Sequence, residues 1–150
     1  MGTILFAVSN IISIIRQPTL DSNLLPVQQF SLIDGTEYTP QKGKPLLIHF
    51  WATWCKVCSM EAGNIERLSK KYEVLTIASQ SESVENIQAT MHKEGLDFKV
   101  VNDADGSLAK AFKITAFPTD FIYGSDGKLH STQVGYSSTA GLLARIKLAE

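Results

Sequence analysis

The segment Phe50-Trp51-Ala52-Thr53-Trp54-Cys55-Lys56-Val57-Cys58 holds both cysteines of the chain, three positions apart. It begins within the nearly continuous apolar run Leu46–Trp51, a pattern typical of a strand buried on both faces of a sheet. Beyond the cysteines, residues at helical spacing trace one face of an amphipathic helix: Cys58, Ala62, Ile65, Leu68 and Tyr72. The cysteine pair is therefore predicted to open a helix directly after the central strand of a sheet.

This placement suits the cysteines for redox chemistry. A thiolate attacks a disulfide and a thiol does not, so a reactive cysteine needs surroundings that stabilise its anion. The unpaired N–H groups and positive dipole end of a helix N-terminus do so at Cys55, and Lys56 adds a positive charge nearby. Cys58 follows one turn later and should be more buried. Cys55 is therefore predicted to be the exposed nucleophile and Cys58 the resolving thiol.

A metal site is the main alternative, because the same spacing supplies half of many zinc sites. The sequence offers no second cysteine pair, and its three histidines are scattered. Two inert core cysteines would fit poorly beside Trp54 and a helix start. We therefore predict no metal and no cofactor beyond a redox-active Cys55–Cys58 disulfide. A copper- or zinc-binding module with two thiolate ligands stays open as the reading from another functional class.

Composition and charge bound the domain count and the partners. The chain has 150 residues, 44% of them hydrophobic and 19% charged, with a net charge of -1. That length predicts one domain with a sizeable core. The balanced charge gives no large field to attract nucleic acid, so no nucleic-acid partner is expected. Two cysteines this close in sequence cannot staple distant segments together.

The N-terminal segment Met1–Arg16 is apolar and carries no charge before Arg16. It lacks the basic region of a secretory signal and is shorter than the roughly 20 residues of a membrane span. We interpret residues 1–26 as the remnant of a signal anchor plus a linker, and residues 27–150 as the folded domain. The alternative is an amphipathic helix that packs on the domain or on a second copy, since Leu5, Val8, Ile12 and Ile15 recur at helical spacing.

The remaining periodicities predict the order of the other elements. A hairpin is expected across Asp34-Gly35 and a buried strand over Glu73–Ser79, parallel to the first because right-handed crossovers prevail. Further elements are predicted in this order: a helix Val84–Lys93 ended by Gly95, an edge segment Phe98–Val101, a short helix Ser107–Phe112, a hairpin of Thr119–Tyr123 with Leu129–Val134, and a helix Thr139–Ala149.

Two motifs resemble a known family. The Phe50–Cys58 segment is similar to the active site of thioredoxins, specifically the TlpA/ResA-like membrane-anchored branch, and Phe117-Pro118-Thr119 resembles that family's cis-proline motif. The resemblance covers Val27–Glu150 and includes a βα insertion at Ser83–Phe112. It implies an α/β, thioredoxin-like three-layer sandwich with a mixed central sheet, an N-terminal β-hairpin, and the insertion before a cis-Pro118.

The resemblance also implies a substrate-binding surface around the cysteines. In the family, the residue before the cis-proline offers backbone groups that hold substrate as an added strand. The residues expected to shape this surface are Trp51, Trp54, Phe117, Pro118 and Thr119.

Three titratable residues match positions that the family uses or varies. His49 stands where thioredoxins place a buried acid that moves a proton from the resolving thiol. Burial should keep its imidazole largely neutral and able to accept that proton, and the alternative is a core histidine bonded to a backbone carbonyl. Glu82 resembles a glutamate near the active site of some anchored members, or is simply solvated. Glu61 looks like a glutamate of this branch or a surface helical residue, and is left out of the catalytic set.

The predicted function is dithiol/disulfide exchange on protein cysteines. We expect a monomer on the periplasmic or extracytoplasmic side of a bacterial inner membrane, reduced by a membrane thiol-electron donor. Reductase is the favoured direction, as in cytochrome c maturation or copper and oxidative stress tolerance; a protein disulfide oxidant is the alternative. Val57 stands where many family members have proline. Because the two residues between the cysteines help set the redox potential, that potential does not follow from the fold. A rival within the enzymes is a peroxide-reducing protein of the related peroxiredoxin class. Such proteins typically have threonine three residues before the reactive cysteine, where this chain has Ala52.

Overall fold

The computed structural model describes Leu20 and residues 22–150. In chain order its elements are β1 (Phe30–Ser31), β2 (Glu37–Tyr38), β3 (Leu46–Trp51), α1 (Lys56–Ser69), β4 (Glu73–Ser79), α2 (Val84–Glu94), β5 (Lys99–Asp103), α3 (Ser107–Ala111), β6 (Thr119–Tyr123), β7 (Leu129–Val134) and α4 (Thr139–Leu148).

The central sheet has five strands in the order β5-β4-β3-β6-β7, with β3 in the middle. β3 pairs in parallel with β4, and β4 with β5, whereas β6 runs antiparallel to both β3 and β7. The N-terminal hairpin β1-β2 forms a separate two-stranded sheet. The predicted mixed sheet, central strand and N-terminal hairpin are confirmed.

The alternation of side chains along β3 assigns the two faces of the sheet. Leu47 and Trp51 belong to an apolar layer that contains the buried faces of α1, α2 and α4. Ile48 and Phe50 belong to the opposite layer, with the hairpin and Phe112 after α3. Since side chains alternate along a strand, His49 points toward the α1 layer. A histidine in the central strand is thereby placed under the helix that starts at the cysteines.

The insertion α2-β5-α3 is held by local signals that the sequence shows. Ser83 caps α2 by accepting from the N–H of Asn86, and Gly95 ends that helix with a left-handed φ of 69°. The edge strand continues to Asp103, beyond the predicted Val101, because this buried carboxylate accepts from Ser79 Oγ at 2.7 Å and from the first N–H groups of α3. Asp103 therefore joins β4, β5 and α3.

The predicted anchor segment lies outside the described residues. Within Leu20 and residues 22–150, none of the helices is both long enough and apolar enough to cross a bilayer. The chain already contacts the domain before residue 27, because Leu129 donates its N–H to Asn23 O at 2.7 Å and Leu25 packs against the buried cluster on the hairpin side. A domain boundary at residue 27 stays a prediction.

Candidate redox site

Cys55 and Cys58 form a disulfide at the N-terminus of α1. Cys55 is the N-cap residue in extended conformation, and its Sγ accepts a hydrogen bond from the N–H of Cys58 at 3.2 Å. Cys55 is 8% exposed and Cys58 is 2% exposed. An incoming thiolate thus reaches Cys55 more readily, and the inner sulfur faces the core. This asymmetry fits the roles of nucleophile and resolving thiol.

The segment before the cysteines is braced by the loop between β4 and α2. Trp54 Nε1 donates to Gln80 O at 2.9 Å, and the Thr53 N–H donates to Ser81 Oγ at 3.0 Å. Asn86 Nδ2 donates to Thr53 Oγ1 at 3.1 Å, which ties α2 to the same segment. Gln80 has a left-handed φ of 51°, which turns its carbonyl toward the indole. The loop after β4 and the first turn of α2 therefore hold the segment before the cysteines in place.

Two aromatic rings form the exposed rim. Trp54 is 61% exposed and meets the half-buried ring of Phe117 edge to face at a centroid distance of 5.9 Å. The Phe117–Pro118 peptide bond is cis. Pro118 itself is buried, and its carbonyl accepts from the N–H of Gly135 at 2.9 Å.

Trp51 and Thr119 lie deeper than the predicted substrate surface requires. Trp51 is 3% exposed and packs edge to face on Phe98. The Thr119 side chain is fully buried, and its hydroxyl donates to Ala116 O at 2.7 Å. These positions correct the expectation that both side chains shape the surface: they support it from within, because β3 and β6 are buried on both faces.

Glu82 is exposed on the loop that braces Trp54, with a left-handed φ of 69°. Its carboxylate makes no hydrogen bond or ion pair with the described residues. The structure therefore places Glu82 at the rim and not among the buried titratable groups beneath the disulfide.

His49 lies in a buried cluster, hereafter the proton cluster, with Glu61 of α1 and Asp120 of β6. His49 Nδ1 is 2.6 Å from Asp120 Oδ1 and 3.2 Å from Glu61 Oε2. All three side chains are 1% exposed or less. His49 and Asp120 are direct partners in the antiparallel ladder, so the sheet register itself sets their contact. The alternative of a core histidine bonded to a backbone carbonyl is wrong.

The expected charge of His49 is also wrong. Burial alone lowers the pKa of the imidazole, as anticipated from its strand position. The attraction and hydrogen bond of Asp120, together with those of Glu61, outweigh burial and raise the pKa of His49 to about 10. At neutral pH the ring is therefore an imidazolium, which has no free lone pair to take a proton from Cys58.

Glu61 is the group in the cluster whose pKa lies near neutral pH. Burial and the neighbouring Asp120 carboxylate raise the pKa of Glu61 to about 8, although His49 opposes the shift. Its Oε1 accepts from the N–H of Ser137 at 2.6 Å. The surface interpretation of Glu61 is wrong: it follows Cys58 by three positions and shares the buried face of α1, a spacing that was visible in the sequence.

The same three groups offer ligand atoms that lie within 4.8 Å of one another and could in principle hold a cation. The imidazole Nδ1 lies between the two carboxylates, so a metal ion would have to displace its proton. No sequence motif links the three residues, because Asp120 lies 71 positions after His49 and the two meet only through the pairing of β3 with β6.

A model of the AhpC/TSA family matches residues 18–132, which include both cysteines, the proton cluster and the cis-proline. The chain belongs to the AhpC/TSA family. Its relatives include a thioredoxin-like protein of Haemophilus influenzae, 28% identical over 95% of this chain and 87% of the relative. Sporulation thiol-disulfide oxidoreductase A of Bacillus subtilis is 25% identical over 80% of this chain and 75% of its own length.

Solved structures agree with this assignment. The pneumococcal exposed lipoprotein thioredoxin Etrx1 of Streptococcus pneumoniae is 26% identical, covers 80% of this chain and 97% of its own, and superposes with a TM-score of 0.68. The predicted thioredoxin-like α/β fold and the TlpA/ResA-type relationship are confirmed. The chain is a thiol-disulfide oxidoreductase of this type, with Cys55 and Cys58 as its disulfide.

Proposed function

We propose that this AhpC/TSA family member exchanges disulfides with cysteines of other proteins, with Cys55 attacking first and Cys58 resolving. The main support is the disulfide at the start of α1, in which Cys55 is more exposed than Cys58. A buried titratable glutamate, Glu61, follows Cys58 by three positions on the same helix. The exposed Trp54 and the adjoining Phe117 offer an apolar rim on which a partner's cysteine segment can rest.

The exchange needs a proton at the inner sulfur. A donor thiolate attacks Cys55 Sγ and forms a mixed disulfide, while the Cys55–Cys58 bond breaks and its electron pair stays on Cys58. Glu61 gives its proton to the Cys58 thiolate. The donor's second thiolate then attacks the donor's own bridging sulfur, and Cys55 leaves as a thiolate at the helix N-terminus. The donor loses two electrons and the chain gains them.

Reduction of a protein substrate is the reverse sequence. The Cys55 thiolate attacks the substrate disulfide, and the first substrate sulfur leaves as a thiolate. Cys58 then passes its proton to the ionised Glu61 and attacks Cys55, which forms the internal disulfide and releases the second substrate sulfur. His49, as a fixed cation between two carboxylates, holds the cluster in place during both transfers. Glu82 is exposed on the loop that braces Trp54, so any contribution from it would be through contact with an approaching substrate and not through proton transfer at Cys58.

We propose that the chain works as a reductase. A strong oxidant of this chemistry stabilises its reduced form, and in particular the attacking thiolate. Among the described residues, the N–H of Cys58 is the donor that bonds to Cys55 Sγ. That modest stabilisation, with the resemblance to the anchored branch, favours a reducing potential. The apolar segment Met1–Arg16 supports attachment to the outer face of a bacterial inner membrane, where a membrane thiol carrier would supply electrons.

A redox titration of the Cys55–Cys58 pair against glutathione buffers tests the direction. We expect a potential near the roughly −270 mV of thioredoxin; a value near the roughly −120 mV of strong oxidants would overturn the reductase proposal. Insulin reduction and metal content are measured on the same preparation. Tight stoichiometric copper or zinc without turnover would contradict disulfide exchange and favour the metal-binding alternative.

A further inference from the structure

We propose that Asp120 is a positioning residue of the exchange reaction: its contact with His49 fixes the imidazole and keeps the transferable proton of the cluster on Glu61. This inference rests on the proposed function and adds a residue that neither the cysteine motif nor the family match singles out. Asp120 stands two positions after Pro118 and directly opposite His49 in the sheet. The strand that begins directly after the cis-proline therefore carries the group that orders the proton cluster.

The hydrogen bonds of the cluster indicate where a proton must sit. Asp120 Oδ1 receives the bond from His49 Nδ1 at 2.6 Å. Asp120 Oδ2 is buried and lacks a hydrogen-bond partner among the described residues. The close donor to Glu61 Oε2 is His49 Nδ1 at 3.2 Å, which already bonds to Asp120 Oδ1 at 2.6 Å. Two buried carboxyl groups that share one donor are costly in a dry core. A proton on Glu61 Oε2 turns one acceptor into a donor and lets the two carboxyl groups bond to each other.

The groups packed around the cluster explain why Asp120 controls that proton. β4 contributes Thr76 opposite His49, and β7 contributes Gln133 opposite Asp120; neither titrates. α4 contributes the apolar Leu142 and Ile146, and α1 contributes Cys58 besides Glu61. The charged neighbours of Glu61 within the described core are thus one cation, His49, and one anion, Asp120. Burial and Asp120 raise the pKa of Glu61, and His49 lowers it.

Removal of the Asp120 charge should therefore deprive Glu61 of its proton at neutral pH. In Asp120→Asn the imidazolium pairs with an ionised Glu61, and the leaving Cys58 thiolate loses the carboxylic acid that protonates it in the wild-type protein. In acid solution Glu61 is protonated in both proteins, and in alkaline solution it is ionised in both. Reduction of the disulfide in the variant should therefore be slowed mainly near neutral pH.

The test is the rate of reduction of the Cys55–Cys58 disulfide by dithiothreitol, followed by tryptophan emission. Trp54 is next to Cys55 in sequence, and Trp51 lies in the same buried layer as the disulfide. Rates of Asp120→Asn are divided by wild-type rates at each pH, so that the titration of dithiothreitol cancels. The ratio should be near one at about pH 5, fall about tenfold near pH 7, and recover near pH 9. Asp120→Glu keeps the carboxylate and should abolish this dip. Asp126→Asn, at an exposed aspartate beside His130, is the matched control and should give a flat ratio.

A role in folding alone would lower the ratio by the same factor at every pH, or leave it at one, and either flat profile would overturn the inference. Asp120→Ser replaces the asparagine variant if circular dichroism shows that the latter does not fold. Failure of the proposed function is a separate result: the wild-type protein would not reduce insulin at all. A wild-type protein that reduces insulin, with a flat Asp120→Asn ratio, refutes only the role of Asp120.

Discussion

A rise in pH from about 6 to about 8 should destabilise the oxidised protein, because the proton cluster binds more protons when folded than when unfolded. His49 has a folded pKa of about 10 against an ordinary 6.5, so its stabilisation is complete below 6.5 and is lost as pH rises toward 10. Glu61 has a folded pKa of about 8 against 4.5, so its protonated form is favoured by folding until pH approaches 8. Both shifts act in the same direction in this window.

The magnitude follows from the number of extra protons. Each proton held only by the folded state contributes about 1.4 kcal/mol per pH unit, and between about pH 6 and pH 8 the two groups together hold roughly one and a half. The free energy of unfolding should therefore fall by up to about 4 kcal/mol over this range. Oxidised protein is required, since free cysteines would titrate in the same region.

Urea unfolding at a series of pH values measures this slope. Glu61→Gln mimics the protonated acid, and below about pH 5.5, where His49 is protonated in both the folded and the unfolded state, it should remove the contribution of the cluster to the slope. Glu85→Gln, an exposed glutamate at the start of α2, should leave the wild-type profile intact. A wild-type stability that stays level or increases from about pH 6 to pH 8 would refute the charge assignment of the whole cluster.

Three further predictions test other parts of the structure. Trp54→Ala should lower kcat/KM for insulin about tenfold while slowing reduction by dithiothreitol much less, because the small dithiol does not need the rim; equal losses would argue against a docking role. Ile65→Ala, at a fully buried position of α1, should cost about 2–5 kcal/mol in urea unfolding, and Met60→Ala, 64% exposed on the same helix, under about 1 kcal/mol; similar costs would contradict the assigned helix face. Gly95→Ala should cost about 1 kcal/mol from its left-handed φ of 69° alone, since a Cβ there meets nothing within 4 Å; a neutral change would contradict this cap.

The fold was predictable because its signals are local. Leu46–Trp51 is apolar except at His49, the helix after Cys58 keeps its spacing, and Ser83 and Gly95 delimit α2 by ordinary capping rules. The errors lie at element ends. Asp103 extends β5 beyond its apolar residues, because a tertiary network of hydrogen bonds stabilises a polar strand end.

The cysteine chemistry was predictable for the same reason, since both sulfurs lie in one local motif. The charge of His49 was not, because it depends on Glu61 of the next helix and above all on Asp120, 71 positions further along the chain. Burial argued for a neutral ring, and only the sheet register shows a carboxylate directly opposite. Glu61 was within reach, since its spacing from Cys58 puts it on the buried face of α1.

Trapping of the mixed disulfide tests the proposed order of attack most directly. Cys58→Ser and Cys55→Ser variants are incubated with an oxidised cysteine-containing protein such as insulin, quenched with acid and alkylated, and analysed by mass spectrometry. Cys58→Ser should accumulate a covalent complex through Cys55, which cannot resolve. Cys55→Ser should form little complex, because its remaining cysteine, Cys58, is 2% exposed in the wild-type structure. A complex formed mainly through Cys58, or none with either variant, would contradict the account.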